Sequence, residues 1–203
     1  MIADLNRKQI NEYFPHLLNV ISGQRFLQMQ GLNKEVPFFI CPYEIDQDKQ
    51  MKIVIEKLKK NLDQKGIRVL EVNLYDLSVS ILKDRGLWEQ IIEQESTWSK
   101  DDLLELLQGP LDPETYLVPA IAKEMQKIEF DVLFLTGVGE VFPYIRSHNL
   151  LNNLQSTAKE KPTLIFFPGE YNHSLESGAS LNLFSRLPND KYYRAYDILK
   201  IEE

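Results

Sequence analysis

The stretch VPFFICPYEIDQDKQMKIVIEKLKKNLDQKGIRVLEVNLYD, residues 36–76, decides the fold. Its first six residues, 36–41, form a short apolar run flanked by prolines, which is typical of a buried strand. A helix is predicted over residues 48–64, because apolar residues recur on one face and Gly66 follows the last turn. A second strand is predicted over residues 67–76. The order strand, helix, strand predicts a right-handed βαβ unit and therefore a parallel sheet.

The flanking sequence adds two more strands to this sheet. They are predicted at residues 131–136 and 162–169, and a helix over residues 141–155 connects them. Residues 77–128 read as a helical insertion between the second and third strands. The chain is therefore predicted to be a single α/β domain over residues 1–203, with a mostly parallel sheet flanked by helices.

The two ends of the chain are predicted to pack around this sheet. Residues 1–35 form an N-terminal helical segment, which Pro15 is expected to split into two short helices. Near the C-terminus, the apolar segment 192–198 alternates well enough to be an edge strand.

Composition and charge limit the classes of function. The 203 residues include 30 acidic and 23 basic side chains, and the net charge of −7 argues against sequence-independent DNA binding. The densest basic group, Lys57, Lys59 and Lys60, reads as the solvated face of a helix. No apolar run reaches the roughly 18 residues of a membrane span, there is no signal-peptide pattern, and Cys41 is the single cysteine. A cytoplasmic protein is expected.

The segment FLTGVGEVFPYIRSHNLLNNLQ, residues 134–155, contains a Gly-x-Gly that resembles a nucleotide-binding loop. A dinucleotide fingerprint needs a third small residue where Phe142 stands, and Glu140 would repel a pyrophosphate. The Walker pattern Gly-x-x-x-x-Gly-Lys-Ser/Thr occurs nowhere in the chain. The sequence therefore predicts a degenerate P-loop NTPase-like or Rossmann-like sandwich without Walker motifs, in which Gly137 and Gly139 form a turn.

Polar residues follow this Gly-x-Gly at helical spacing. On the predicted helix, Glu140, Tyr144 and His148 share one face, and Arg146 and Asn149 lie on another. The row of three is either an acid–base site or, as we favour, a surface for structure or partner contact. No metal site and no catalytic residue are predicted, because the three histidines are widely separated and no nucleophile elbow is present.

Tyrosine and arginine side chains recur after the fourth strand. Glu170 and Tyr171 follow it directly, and Tyr193 and Arg194 lie in the run KYYRAY. Such residues stack on nucleic-acid bases, pack in an edge strand, or form hot spots of protein interfaces. The candidate partner-binding residues are Glu140, Tyr144, Arg146, His148, Asn149, Glu170, Tyr171, Tyr193 and Arg194.

Four segments of this chain resemble one protein family. They are CPYEIDQD (residues 41–48), TGVGEVFPYIRSHNLLNNLQ (136–155), PTLIFFPGEY (162–171) and SLNLFSRLPNDKYYRAYDI (180–198). Together they resemble the BrxB family, a component of the BREX (bacteriophage exclusion) systems of bacteria and archaea. The similarity runs over nearly the full length, and its most specific part is the C-terminal third.

The resemblance implies a small cytosolic subunit of a multi-gene system that methylates host DNA and blocks phage replication. The family offers no established catalytic residues, so the implied role is that of a non-enzymatic adaptor without a cofactor. The implied partners are other BREX proteins, chiefly the alkaline-phosphatase-like PglZ, and also the large ATPase and the methyltransferase. The alternative is a nucleotide- or phosphate-responsive regulator or hydrolase that uses Glu140, Arg146 and His148 around the TGVGE loop.

Overall fold

The computed structural model describes residues 10–29, 38–174, 178–186 and 195–201. Its helices and strands alternate along most of the chain. The helices are α1 (Tyr13–Ser22), α2 (Gln24–Leu27), α3 (Asp48–Gln64), α4 (Leu74–Asp84), α5 (Trp88–Gln94), α6 (Lys100–Gln108), α7 (Val118–Lys127) and α8 (Ser147–Leu154). The strands are β1 (Phe38–Tyr43), β2 (Val69–Asn73), β3 (Val132–Thr136), β4 (Thr163–Ser174), β5 (Gly178–Leu183) and β6 (Tyr196–Asp197).

The six strands form one mostly parallel sheet. Its order is β2-β3-β4-β1-β6, and these five strands are parallel to their neighbours. The remaining strand, β5, pairs in antiparallel fashion with the distal half of β4, from Gly169 to Ser174. The connection from β1 to β2 carries α3 and passes over two intervening strands. This arrangement confirms the predicted α/β fold with a mostly parallel sheet flanked by helices.

Both faces of the sheet are buried under helices. Successive residues of each strand point to opposite faces of the sheet. Phe39, Phe134 and Phe166 share one face and pack under α1 and α3. Their strand neighbours Phe38 and Phe167 pack on the other face, against α4, α7 and α8. Because each central strand is covered on both sides, its sequence is a continuous apolar run.

The structure corrects three predicted boundaries. The helix expected over residues 141–155 begins only at Ser147, and residues 138–144 form turns instead. Pro143 explains this, because it lacks a backbone N–H and disfavours helical geometry at Phe142. Pro15 does not split the first helix either: it lies in the first turn of α1, where its missing N–H needs no partner. The second strand ends at Asn73, which caps the next helix.

The C-terminal part of the sheet is more elaborate than predicted. Strand β4 continues to Ser174 instead of stopping at residue 169, and its distal half forms a hairpin with β5. In the predicted edge strand, only Tyr196–Asp197 is a strand among the described residues, and it pairs with β1. Residues 187–194 lie outside the described part of the chain.

The helices are short or amphipathic. Within the described ranges, no helix is both long enough and apolar enough to cross a membrane.

Candidate functional site

A pocket of about 810 Å³ opens at the carboxyl ends of the parallel strands. This edge of an open α/β sheet is where ligands and partners are usually bound, because the loops there diverge to either face. Helix α3 forms one wall of the pocket, and the turn that follows β3 forms the opposite wall. Phe166 and Pro168 of β4 contribute apolar surface, and Phe184 at the end of β5 completes the lining.

The Gly-x-Gly of the TGVGE segment is a tight turn in this wall. The backbone N–H of Glu140 donates to the Gly137 carbonyl oxygen at 3.1 Å, and Gly137 has a positive φ of 73°. A Cβ at Gly137 would lie 2.6 Å from Oδ1 of Asn73, and one at Gly139 would lie 2.9 Å from Cγ of Pro168. The glycines therefore permit close packing of the turn against β2 and β4.

A first ionic group ties this turn to α3. Lys52 Nζ lies 2.6 Å from Glu140 Oε1 and 3.2 Å from Asp48 Oδ2. The hydroxyl of Tyr43 donates to Asp48 Oδ1 at 2.9 Å. The hydrogen bond to Glu140 raises the pKa of Lys52 above its ordinary value, so this lysine is charged at neutral pH. One ammonium group thus forms ion pairs with two carboxylates.

A second ionic group lies deeper along α3. Lys59 Nζ lies 2.5 Å from Glu71 Oε2 and 2.9 Å from Glu56 Oε1. Thr136 donates its hydroxyl to Glu71 Oε1 at 2.9 Å. Burial lowers the pKa of Lys59, but the hydrogen bonds to Glu71 and Glu56 outweigh that effect and the net pKa is raised. Again one lysine pairs with two carboxylates.

The predicted row of Glu140, Tyr144 and His148 on one helix is wrong. Only His148 lies in α8, where it is buried, whereas Glu140 and Tyr144 belong to the preceding turns. Tyr144 is half-buried, and its hydroxyl donates to the Glu140 carbonyl oxygen at 3.4 Å. Arg146 and Asn149 are both exposed, at and just after the start of α8.

The structure describes two of the four candidate residues in the C-terminal segments. Glu170 is exposed on the distal half of β4. Tyr171 is buried, and its hydroxyl donates to the Ala195 carbonyl oxygen at 2.7 Å, which links β4 to the C-terminal segment. Tyr193 and Arg194 lie outside the described residues.

The turn after β3 and the β4–β5 hairpin form one continuous surface. Phe142 and Phe184 meet edge to face, with ring centroids 6.1 Å apart and an interplanar angle of 88°. We call residues 137–149, 169–174 and 180–186 the carboxyl-end surface. From the predicted set, Glu140, Tyr144, Arg146, Asn149 and Glu170 are exposed or half-buried on it, whereas His148 and Tyr171 lie within the same ranges but are buried.

Sequence reasoning missed the lysines of α3. Lys59 belongs to the predicted solvated helical face, yet it pairs with Glu71 on β2. The spacing of Asp48, Lys52 and Glu56 at successive steps of four was a visible signal for ion pairs along α3. Their partners on β2 and in the turn depend on the tertiary fold.

Asn73 joins the site to the helix that follows β2. Its side-chain oxygen accepts from the backbone N–H groups of Tyr75 at 2.9 Å and Asp76 at 3.1 Å. We expect Asn73→Ala to lower the free energy of unfolding by about 1 kcal/mol, because two N–H groups of α4 lose their acceptor. Asn73→Asp keeps an acceptor and is the control. Urea unfolding measures both variants, and equal stability of Asn73→Ala and the wild type would contradict the capping role.

One buried and two half-buried tyrosines predict a stability that depends on alkaline pH. Burial raises the pKa of Tyr144 to about 12 and that of Tyr13 to about 12, and burial with the Asp48 carboxylate raises the pKa of Tyr43. An unfolded tyrosine ionises near pH 10, so the stability from these phenols is complete below about pH 10. It is lost as the pH rises through the folded pKa values.

The phenolate absorbance of the folded chain measures this effect. We expect a subset of tyrosines to titrate well above the rest, and Tyr144→Phe to remove one of that subset. Titration of all tyrosines together near pH 10 would contradict the burial of these phenols.

Across the described ranges, no group of three or more His, Cys, Asp or Glu side chains is arranged to hold a metal ion.

Comparison with known proteins relates most of the chain to one family. The family model described as "BREX protein BrxB" matches residues 70–198. The chain is 31% identical over 196 residues to BREX protein BrxB of Bacillus cereus (strain H3081.97), which covers 95% of this chain and 98% of that relative. It is 30% identical over 179 residues to BREX protein BrxB of Escherichia coli O9:H4 (strain HS), covering 88% of this chain and 86% of the relative. No solved structure shows a significant match. The chain therefore belongs to the BrxB family of BREX proteins.

Proposed function

We propose that this chain is a non-enzymatic, cytoplasmic adaptor of a BREX anti-phage system, and that it docks another BREX protein through the carboxyl-end surface. The first candidate partner is the alkaline-phosphatase-like protein PglZ. The BREX ATPase and methyltransferase are further candidates. No direct contact with nucleic acid is proposed, because the net charge of −7 opposes binding to phosphates.

One observation carries the adaptor proposal: each of the four carboxylates that line the pocket is paired with a lysine. Lys52 and Lys59 are held by carboxylates at 2.5 to 3.2 Å, and the Asp48 and Glu71 carboxylates also accept hydroxyl hydrogen bonds. A general base or an activated nucleophile must instead face the substrate with a matched pKa. The arrangement favours a rigid docking platform over a reaction centre.

Exposed side chains on this platform are of the types that dominate protein interfaces. Arg146 is exposed, Tyr144 two positions before it is half-buried, and Phe142 of the same turn packs edge to face against Phe184. Tyrosine and arginine are enriched among residues whose truncation weakens binding most.

Co-expression tests the proposal. The chain and PglZ from the same BREX system are purified on a tag carried by one of them and separated by size exclusion. We expect the two proteins to elute together at a fixed ratio. The experiment is repeated with the ATPase and with the methyltransferase. If the chain elutes separately from all three proteins, the adaptor proposal fails.

A surface variant tests where the partner binds. Tyr144→Ala combined with Arg146→Glu is expected to weaken the complex at least about 30-fold, because an interface anchor and its neighbouring charge are both lost. Lys161→Glu is the matched control, since this exposed lysine precedes β4 at the opposite, amino-terminal edge of the sheet. Thermal unfolding verifies that both variants are folded. If the double variant and the control bind the partner with equal affinity, the interface lies elsewhere on the chain.

The alternative of a nucleotide- or phosphate-responsive protein has less support. Its loop would have to present free backbone N–H groups at a helix N-terminus, but α8 begins only at Ser147 and the Glu140 N–H already bonds to Gly137. Millimolar ATP or a phosphate ester should raise the melting temperature if this alternative holds, because a ligand of the folded state stabilises it. We expect no such shift.

A further inference from the structure

We propose that the pocket at the carboxyl end of the sheet receives an arginine side chain of the docked partner. This inference rests on the proposed adaptor function and specifies the chemistry of the contact. The pocket has a volume of about 810 Å³, which is ample for one long side chain and its flanking residues.

The charges of the pocket favour a cationic occupant. In the first group Lys52 faces Asp48 and Glu140, and in the second Lys59 faces the other two carboxylates. Each group carries one negative charge in excess of its lysine. When Arg186 on the rim is included, four carboxylates still stand against three cations. An incoming guanidinium would neutralise the remaining charge.

The carboxylates keep enough exposure to be reached. The side chains of Glu56 and Glu140 are 69% and 37% exposed, so each has an oxygen open to an additional donor. Arginine suits this geometry better than lysine, because its planar guanidinium can bond two acceptors at once and is more weakly hydrated.

The apolar lining suits the rest of an arginine side chain. Phe166, Phe184 and Ile55 line the pocket, and Phe184, the least buried of the three, can cover the methylene stem or stack on the guanidinium. Ile45 also lines the pocket and is 47% exposed just beyond the end of β1. An exposed apolar side chain beside a charged pocket is suited to a protein segment, which covers it when the arginine side chain enters.

The selectivity of the pocket is tested first without any partner. The full chain, labelled with ¹⁵N, is titrated with N-acetyl-arginine amide and, separately, with the N-acetyl-citrulline amide, which has the same shape and no charge. We expect saturable shifts of the backbone amides of Thr136, Gly137 and Gly139 with the arginine probe, and at least about tenfold weaker binding of the citrulline probe. Equal binding of both probes, shifts elsewhere on the chain, or no shifts would overturn the proposal.

A pocket variant and a matched control test whether the excess negative charge binds the arginine. Glu56→Gln with Glu140→Gln takes one carboxylate from each group and leaves the Lys52–Asp48 and Lys59–Glu71 pairs in place. The control, Glu89→Gln with Glu160→Gln, makes the same change in net charge at exposed positions outside the pocket. We expect the pocket variant to bind the arginine probe at least about tenfold more weakly, and the control to match the wild type.

The same variants, added to the co-purification with PglZ, the ATPase and the methyltransferase, identify the source of the arginine. Weaker complex formation by the pocket variant alone supports a partner arginine. If the complex forms but the pocket variant leaves it unchanged, the inference fails and the adaptor function stands. If no complex forms with any of these proteins, the adaptor function fails, and the probe titration still decides whether the pocket selects a guanidinium group.

Discussion

Gly169→Ala is expected to lower the free energy of unfolding by about 3 kcal/mol, because the backbone would be strained at this φ and the new methyl group would collide with neighbouring backbone atoms. Gly169 has a φ of 153°, which side chains rarely adopt. Its Cβ would lie 2.2 Å from the backbone oxygen of Asn182 and 2.9 Å from the backbone nitrogen of Phe184. Backbone atoms of β5 cannot move aside without breaking the hairpin, so the change should open it. Urea unfolding and thermal unfolding measure the loss, which corresponds to roughly 6–12 °C in Tm.

Substitutions at two other glycines separate the effect of backbone strain from the effect of the collision. Gly109 has a φ of −65°, and a methyl group added there would meet no heavy atom within 4 Å, so Gly109→Ala should be neutral or slightly stabilising. Gly66 has a positive φ of 76° in open space, so Gly66→Ala should lower stability by about 1 kcal/mol through strain alone. If Gly169→Ala were as stable as Gly109→Ala, the packing of β5 over Gly169 would be wrong.

Phe134→Ala is expected to lower the free energy of unfolding by about 3–5 kcal/mol, the usual range for removing a buried aromatic ring. Phe134 is fully buried on the α3 side of the sheet, and its ring meets Phe166 with centroids 5.2 Å apart. The truncation therefore leaves a cavity next to a residue that lines the pocket. Urea unfolding measures the change in stability.

Ile53→Ala is the control for Phe134→Ala. Ile53 lies on α3 but is 57% exposed, so its truncation should change stability by no more than about 0.5 kcal/mol. A loss below about 1 kcal/mol in Phe134→Ala would contradict the packing of α3 on this face of the sheet.

Local sequence patterns predicted the helices and strands that are determined by residues close together in the sequence. The bounds of α3 agree with the predicted residues 48–64, because its apolar stripe and terminal Gly66 lie within one stretch. The alternation of strands with helices predicted the parallel sheet for the same reason. Pro143 and Asn73 were also local signals, for a late helix start and a helix cap, but the predicted elements ran through both.

The pocket could not be predicted, because its parts are distant in the sequence. Lys52 and Glu140 are 88 positions apart, and Glu71 and Thr136 are 65 apart. Their contact requires β2 to lie beside β3 and α3 to cross the sheet, and short right-handed connections are compatible with several strand orders. The hairpin that brings Phe184 to the pocket is likewise a consequence of β4 extending beyond its predicted end.

Hydrogen exchange of the chain alone and in its complex with PglZ tests the central claim most directly. The proposed docking site predicts slower exchange on complex formation at residues 137–149, 169–174 and 180–186, which form the carboxyl-end surface. The amino-terminal edge of the sheet, around Arg68, Asp131 and Lys161, is predicted to exchange at the same rate in both states. Protection confined to that amino-terminal edge, with the carboxyl-end surface unchanged, would contradict docking through the carboxyl-end surface.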